Sequence, residues 1–190
     1  MLPGFETTPA IDRLFFAVFP DPESAERIAA LAQALCQQHG LRGKPLAAMR
    51  LHVTLHRLGD YAGLPPTLIA SAEAIAARVA TPVFDAAFGS ASSFTGRPGQ
   101  RPLVLRSDEA DMAPLLSLQC ALGEAMTAAG LGRHVTRKIV PHVTLLYDDN
   151  LLAPRPVERI VWTVREFALM HSLIGRGVYR TLGRWPLHSR

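Results

Sequence analysis

Two stretches decide how the rest of the chain is read: "LHVTLHRLGD" at Leu51–Asp60 and "PHVTLLYDD" at Pro141–Asp149. Both carry His-Val-Thr-Leu, and the alternation of polar and β-branched or aliphatic residues predicts a strand with one buried face. In a strand successive side chains point to opposite faces, so His52 and Thr54 share one face while Val53 and Leu55 share the other. His142 with Thr144, and Val143 with Leu145, repeat that division. Each copy therefore presents an imidazole and a hydroxyl about 6.6 Å apart, at roughly 3.3 Å per residue, with two aliphatics anchoring the opposite face.

The surroundings repeat as well. "RLFFAVFP" at Arg13–Pro20 predicts a buried strand ended by proline, and the helix after it is marked by Asp21 as N-cap, Pro22 in the first turn and Gly40 as its stop. Ile28, Leu31, Ala32 and Leu35 fall on its apolar face, and a loop with Lys44 and Arg50 leads into the first motif. The second copy runs the same way. "PLVLR" at Pro102–Arg106 predicts a short strand, Leu115, Leu118, Leu122 and Met126 mark a helix over about 114–129, and "RKIVPHVTLLY" at Arg137–Tyr147 reads as the strand that carries the second motif. Between the copies lie a helix marked by Leu68, Ala72, Ile75 and Val79, a strand carrying Phe84, Ala86 and Phe88, and a turn over 96–102 with Arg97 and Arg101. Val157–Ile174 reads as one long or two short strands, with a last strand at "VYRTLGRWPL". The histidines stand 90 positions apart, about half the chain, as a duplicated α+β unit would place them. The expectation is a single bilobal domain of two similar halves, about 12–95 and about 100–190, after a loose leader over about 1–11.

At 190 residues and 48% hydrophobic the chain can bury a core of its own. Its net charge is +4, and Lys44 and Lys138 are its only lysines, so arginine carries the positive charge. Arginine binds phosphate in a fork, which permits an RNA-like partner without requiring one. The excess is sharpest from Leu151 to Arg190, where seven arginines face Glu158 and Glu166. Cys36 and Cys120 have no metal-ligand spacing and read as free core thiols. "LFFAVFP" is too short for a signal peptide or membrane span, which predicts a soluble cytoplasmic protein without a membrane partner.

Two such strands meeting across a cleft would bring two imidazoles and two hydroxyls around one phosphate-sized volume. In-line displacement at phosphorus calls for a base on one side and an acid on the other, and histidine serves both roles near neutrality. Threonine hydroxyls can donate to non-bridging oxygens, and no metal or other cofactor is required when the leaving oxygen receives a proton. His142 is taken as base and His52 as acid. His56 stands at i, i+4 from His52, but on a strand that is about 13 Å, too far to share a zinc ion. By alternation His56 falls on the cleft face, as a substrate contact or a solvated strand end.

The paired motifs resemble those of the 2H phosphoesterase superfamily, specifically its LigT-like branch of RNA 2′,3′-cyclic phosphodiesterases, also called 2′-5′ RNA ligases. "RLFFAVFP", "LHVTLHRLGD", "PHVTLLYDD" and "EFALMHSLIGRGVYRTLGRWPL" are each similar to family segments. The resemblance implies an α+β bilobal fold with antiparallel sheets around a central cleft and helices outside. It implies hydrolysis of a terminal 2′,3′-cyclic phosphate to a 2′-phosphate, with His52 and His142 catalytic and Thr54 and Thr144 holding phosphate. RNA or oligonucleotide ends would be the partner of a monomeric enzyme, and reverse 2′-5′ joining follows from microscopic reversibility. Two positions depart from the family pattern: Arg57 stands where an aromatic residue is common, and Tyr147 where an arginine follows the second motif. Lys138, Arg137, Lys44 and Arg50 are candidates to supply the missing charge, and Phe15 and Tyr179 to stack a base. Two other readings stay open: a non-catalytic module binding RNA phosphate ends, and a phosphodiesterase for another small cyclic phosphate or a 2′-5′ oligonucleotide.

Overall fold

Leu14, Phe16 and Val18 alternate with Phe15 and Ala17 along strand β1 (Asp12–Val18), and both sets are buried. A strand covered on both faces belongs inside a sheet. The computed structural model, which describes residues 11–109 and 111–188, places β1 between β2 (Val53–Tyr61) and β7 (Glu166–Leu173). The expected leader lies outside the described residues for all but Ile11. The remaining strands are β3 (Phe84–Ser93), β4 (Pro102–Arg106), β5 (His142–Tyr147), β6 (Arg155–Val164) and β8 (Val178–Pro186). All eight form one antiparallel sheet in the order β6-β3-β4-β5-β2-β1-β7-β8. At its centre β5 and β2, the strands of the two motifs, meet through one bridging pair, Val53 with Val143. The fold is thus α+β, with two four-stranded halves joined edge to edge.

Helices α1 (Pro22–His39), α2 (Pro66–Ala76) and α3 (Ala113–Ala128) pack on one face of this sheet. α1 starts where expected: Asp21 accepts a 2.8 Å bond from the Ser24 N–H, Pro22 opens the first turn, and Gly40 closes it in the left-handed conformation. α2 ends at Ala76, short of Val79, which is buried in the turn that follows. Ile28, Leu35, Ala72, Ile75, Leu118, Leu122 and Met126 join Phe16, Val53, Leu105 and Val143 in one core spanning both halves. Cys36 and Cys120, expected in that core, are both free, but Cys36 is only half-buried and Cys120 is exposed. The other face of β1 and β7 carries a smaller cluster of Phe15, Ala17, Ala168 and Met170, edged by Phe19 and Tyr179. That face holds the cleft. Among the described residues no helix is long and apolar enough to cross a membrane.

The boundary expected near residues 95–100 does not follow the sheet. β3 lies beside β4 and β6 in the half of the second motif, while β7 and β8 extend the half of the first. Val157–Ile174 is two strands in different halves, and the chain crosses between them at Arg165. The strand–helix–strand repeat covers only β1-α1-β2 and β4-α3-β5. The outer strands are recruited by edge pairing, which no short repeated motif records.

Candidate active site

Val53 and Val143 are 1% and 0% exposed, so their flanking residues turn to the cleft face. Extending the antiparallel register by one residue sets His52 opposite Thr144 and Thr54 opposite His142. The two histidines are diagonal neighbours, a relation that puts strand positions about 7–8 Å apart. The pairings with β4 and β3 carry these rows outward. Ser90, Arg106, His142 and Thr54 stand in one row, and Ser92, Val104, Thr144 and His52 in the next.

Both imidazoles are wired alike. His52 Nδ1–H donates to the Arg50 carbonyl at 2.7 Å and His142 Nδ1–H to the Val140 carbonyl at 2.6 Å, each two residues upstream. A carbonyl can only accept, so in the neutral rings the hydrogen sits on Nδ1 and the Nε2 lone pair is free. The loop that delivers His52 is tied to the strand of His142. Leu46 N–H donates to Leu145 O at 2.8 Å, and the buried Asp148 carboxylate accepts from Gly43 N–H at 2.6 Å and from Arg42 N–H. Only glycine fits at 43, because a Cβ there would lie 2.1 Å from Tyr147 O. Burial opposes the Asp148 charge, but the N–H donors of Asn150, Gly43 and Arg42 outweigh it and hold the carboxyl below its ordinary value.

The walls differ. His52 is packed by three aromatic rings, with centroids at 5.0 Å for Phe15, 5.8 Å for Phe19 and 5.6 Å for Tyr179. Burial pushes its pKa down to about 4 against the Arg50 carbonyl, which favours the charged form, while the positive charge of His142 and Arg50 adds to the lowering. His142 meets the edge of one ring, Phe94, at 5.0 Å. Its pKa is also lowered, first by burial and then by the nearby Arg106 guanidinium, against the Val140 carbonyl.

A cleft of about 700 Å³ opens beside His52, lined by Arg13, Arg50, Gln100, Tyr147, Ser172 and Tyr179 among others. The Arg50 guanidinium lies 5.3 Å from the Tyr179 ring centroid. Tyr147 is half exposed and Tyr179 half-buried, and both remain open to a ligand. Thr54 and Thr144 flank the histidines, and among the described residues no side-chain hydrogen bond occupies either hydroxyl.

Phe15, expected to stack a base, is 3% exposed and packs on His52 and Tyr179, which leaves it a wall rather than a platform. His56 is a correction. It is 0% exposed: its Nδ1 accepts from Thr136 N–H at 3.1 Å and its Nε2–H donates to Gln119 O at 2.8 Å. The cause is a β-bulge. Ala17 pairs with Thr54 and Phe16 with His56, so Leu55 is the extra residue and His56 changes face; a second bulge, at Leu58, shifts the register again. β5 bulges at the equivalent Leu145, between the Thr144 and Leu146 pairings with β4.

Lys138 is exposed on the loop before β5 and is not among the cleft-lining residues. Arg137 lines a groove against α3, and Lys44 a groove against α1 that Arg50 also borders. Of the four basic candidates only Arg50 lines the cleft. Arg57 is held by Asp60, which also takes Arg13 through bonds of 2.8 and 2.9 Å. Sequence reasoning missed Phe19, Phe94 and Arg106. Arg106 was within reach, since its strand had been matched to β1 and its pairing with β5 follows from that match.

The sequence model of the 2′-5′ RNA ligase superfamily matches residues 19–175, which contain both motifs and most of the sheet. The chain belongs to this superfamily. With it comes the LigT-like 2H phosphoesterase fold and, as a general activity, phosphoester chemistry. Escherichia coli LigT in apo form is 28% identical, with a TM-score of 0.73 over 94% of this chain and 98% of that one. LigT complexed with phosphate is 27% identical, with a TM-score of 0.70 and the same coverage. TT0787 of Thermus thermophilus, 23% identical with a TM-score of 0.75 over 94% and 99% of the two chains, shares the fold. No curated protein sequence matches.

Proposed function

We propose that this phosphoesterase hydrolyses 2′,3′-cyclic phosphates at RNA ends, leaving a 2′-phosphomonoester and a free 3′-hydroxyl. The observation that carries the reading is the diagonal pair His52 and His142, each with Nδ1 held by a backbone carbonyl and Nε2 free. With a phosphate between them, one Nε2 removes a proton from water as its oxygen attacks phosphorus, and the other ring, protonated on Nε2, gives its proton to the departing 3′ oxygen. Thr54 and Thr144 donate to the non-bridging oxygens. Because the leaving oxygen is protonated, the reaction needs no metal.

The walls reverse the roles taken from sequence. Three aromatic rings favour the uncharged form of His52, which suits a base, and His142 becomes the acid. Tyr179, Tyr147 and Arg50 offer the cleft to the terminal nucleotide, Tyr179 by stacking and Arg50 by charge. The reverse reaction joins a 5′-hydroxyl to the cyclic phosphate.

Turnover of nucleoside 2′,3′-cyclic phosphates and of RNA oligomers ending in one, measured across pH with EDTA present, tests the proposal. The expected result is hydrolysis to the 2′-phosphate with a bell-shaped profile. Binding of a 2′-phosphorylated oligonucleotide without turnover would make the chain a binding module. Turnover confined to another small cyclic phosphate or a 2′-5′ oligonucleotide would move the substrate away from RNA ends.

A further inference from the structure

Four arginines near the cleft can be compared, and three are engaged. Arg13 and Arg57 share the Asp60 carboxylate, and Arg50 lies over the Tyr179 ring, although its Nε, like that of Arg106, is buried without a hydrogen-bond partner. Arg106 is different. It is the register partner of His142 across β4 and β5, and residues directly opposite on neighbouring strands project from the same face with Cβ atoms about 4.5–5.5 Å apart. Its other register partner, on β3, is Ser90, a small half-buried residue. Among the described residues no ion pair or hydrogen bond engages the Arg106 side chain, and its Nε is buried without a partner. Asp111, in the loop that follows β4, is taken by Arg159 at 2.7 Å.

The internal symmetry sharpens the point. The register that pairs Arg106 with His142 in one half places Phe19 beside His52 in the other. Duplication therefore does not account for a guanidinium here. A buried donor left unpaired costs free energy, and a cation set beside a histidine that must carry a proton disfavours that proton. Both costs fall when an anion lies between them. The chain also has Tyr147 where its family resemblance calls for an arginine after the second motif.

We propose that Arg106 is a catalytic residue that binds a non-bridging oxygen of the phosphate held between His52 and His142, supplying from β4 the charge that Tyr147 does not supply from β5. The assignment rests on the phosphoesterase reading of the histidine pair for its catalytic part, while its anion-binding part stands on geometry alone. Arg106 donates to the anion throughout the displacement and takes no proton, and the fork geometry of guanidinium makes lysine an incomplete substitute.

Two measurements on the same variants test it: turnover of a nucleoside 2′,3′-cyclic phosphate, and titration with inorganic phosphate followed through the histidine ring resonances by NMR. Arg106→Gln is expected to lose about 10²- to 10³-fold in kcat, as removal of one preorganised charge donor does. Its phosphate affinity should fall about ten- to a hundredfold. Arg106→Lys should recover part of both. Arg106→Met keeps the aliphatic stem and serves as the second variant if the glutamine disturbs folding, with the NMR spectrum outside the cleft as the control. Wild-type turnover and wild-type phosphate affinity in a folded Arg106→Gln or Arg106→Met would overturn the proposal. Should the unaltered protein hydrolyse no cyclic phosphate, the functional reading fails, and the phosphate titration still decides whether Arg106 binds the anion.

Discussion

His52 and His142 sit at equivalent points of the two halves, with the same carbonyl contact two residues upstream and the same bulge one residue after the threonine of each motif. Their surroundings are not equivalent. His52 lies among Phe15, Phe19 and Tyr179, whereas His142 has one ring edge and a guanidinium. The lesson is a division of labour. The repeated backbone fixes which nitrogen of each ring is free, and the unrepeated side chains set how each ring's proton affinity is lowered.

The largest effect expected outside the histidines comes from removing one wall. Phe15→Ala empties a buried site and should cost about 3–5 kcal/mol in denaturant unfolding, as large-to-small core changes do. Phe94→Ala, on the half-buried His142 side, should cost far less; equal losses would erase the contrast between the two walls. Next is the position where the two strands differ. His56→Leu copies the second motif, where Leu146 occupies the equivalent place, and it strands Thr136 N–H and Gln119 O. The loss should be about 1–3 kcal/mol, with little effect on turnover. Retained stability would mean that these two backbone groups find water instead.

Acid sharpens the comparison further. His52, His56 and His142 all have folded-state values below 6.5 through burial, so the unfolded chain binds more protons than the folded one in this range. Their neutral packing is undiminished above pH 6.5, and stability should fall as pH drops toward the His52 value of about 4. NMR titration should find His52 taking up its proton at lower pH than His142, and the opposite order would return the base role to His142. The smallest change is at Arg57, whose ion pair with Asp60 is largely exposed; Arg57→Ala should alter stability by about 0.2–1 kcal/mol.

Much of this was legible in the sequence because it follows from local pattern. The alternation in His-Val-Thr-Leu placed His52, Thr54, His142 and Thr144 on one face, and Asp21, Pro22 and Gly40 marked the ends of α1. What was not legible depends on pairing between distant strands. The bulges at Leu55 and Leu145 are invisible without the partner strands, so His56 was assigned to the cleft when it clamps β2 to α3 and the 136 segment. The passage from one half to the other at Arg165 is likewise a property of sheet edges. Phe15 could be read as an aromatic of the region, but whether its ring was free or spent depended on a histidine 37 positions away.

The central claim is that His52 and His142 act as a unit on one phosphorus. It is tested most directly by single-turnover hydrolysis of a 2′,3′-cyclic phosphate with His52→Ala, His142→Ala and the double variant. Each single change should cost about 10²- to 10⁴-fold, and the double should cost little more than the worse single, because an acid and a base serving the same displacement fail together. Full activity in either single variant would contradict the account.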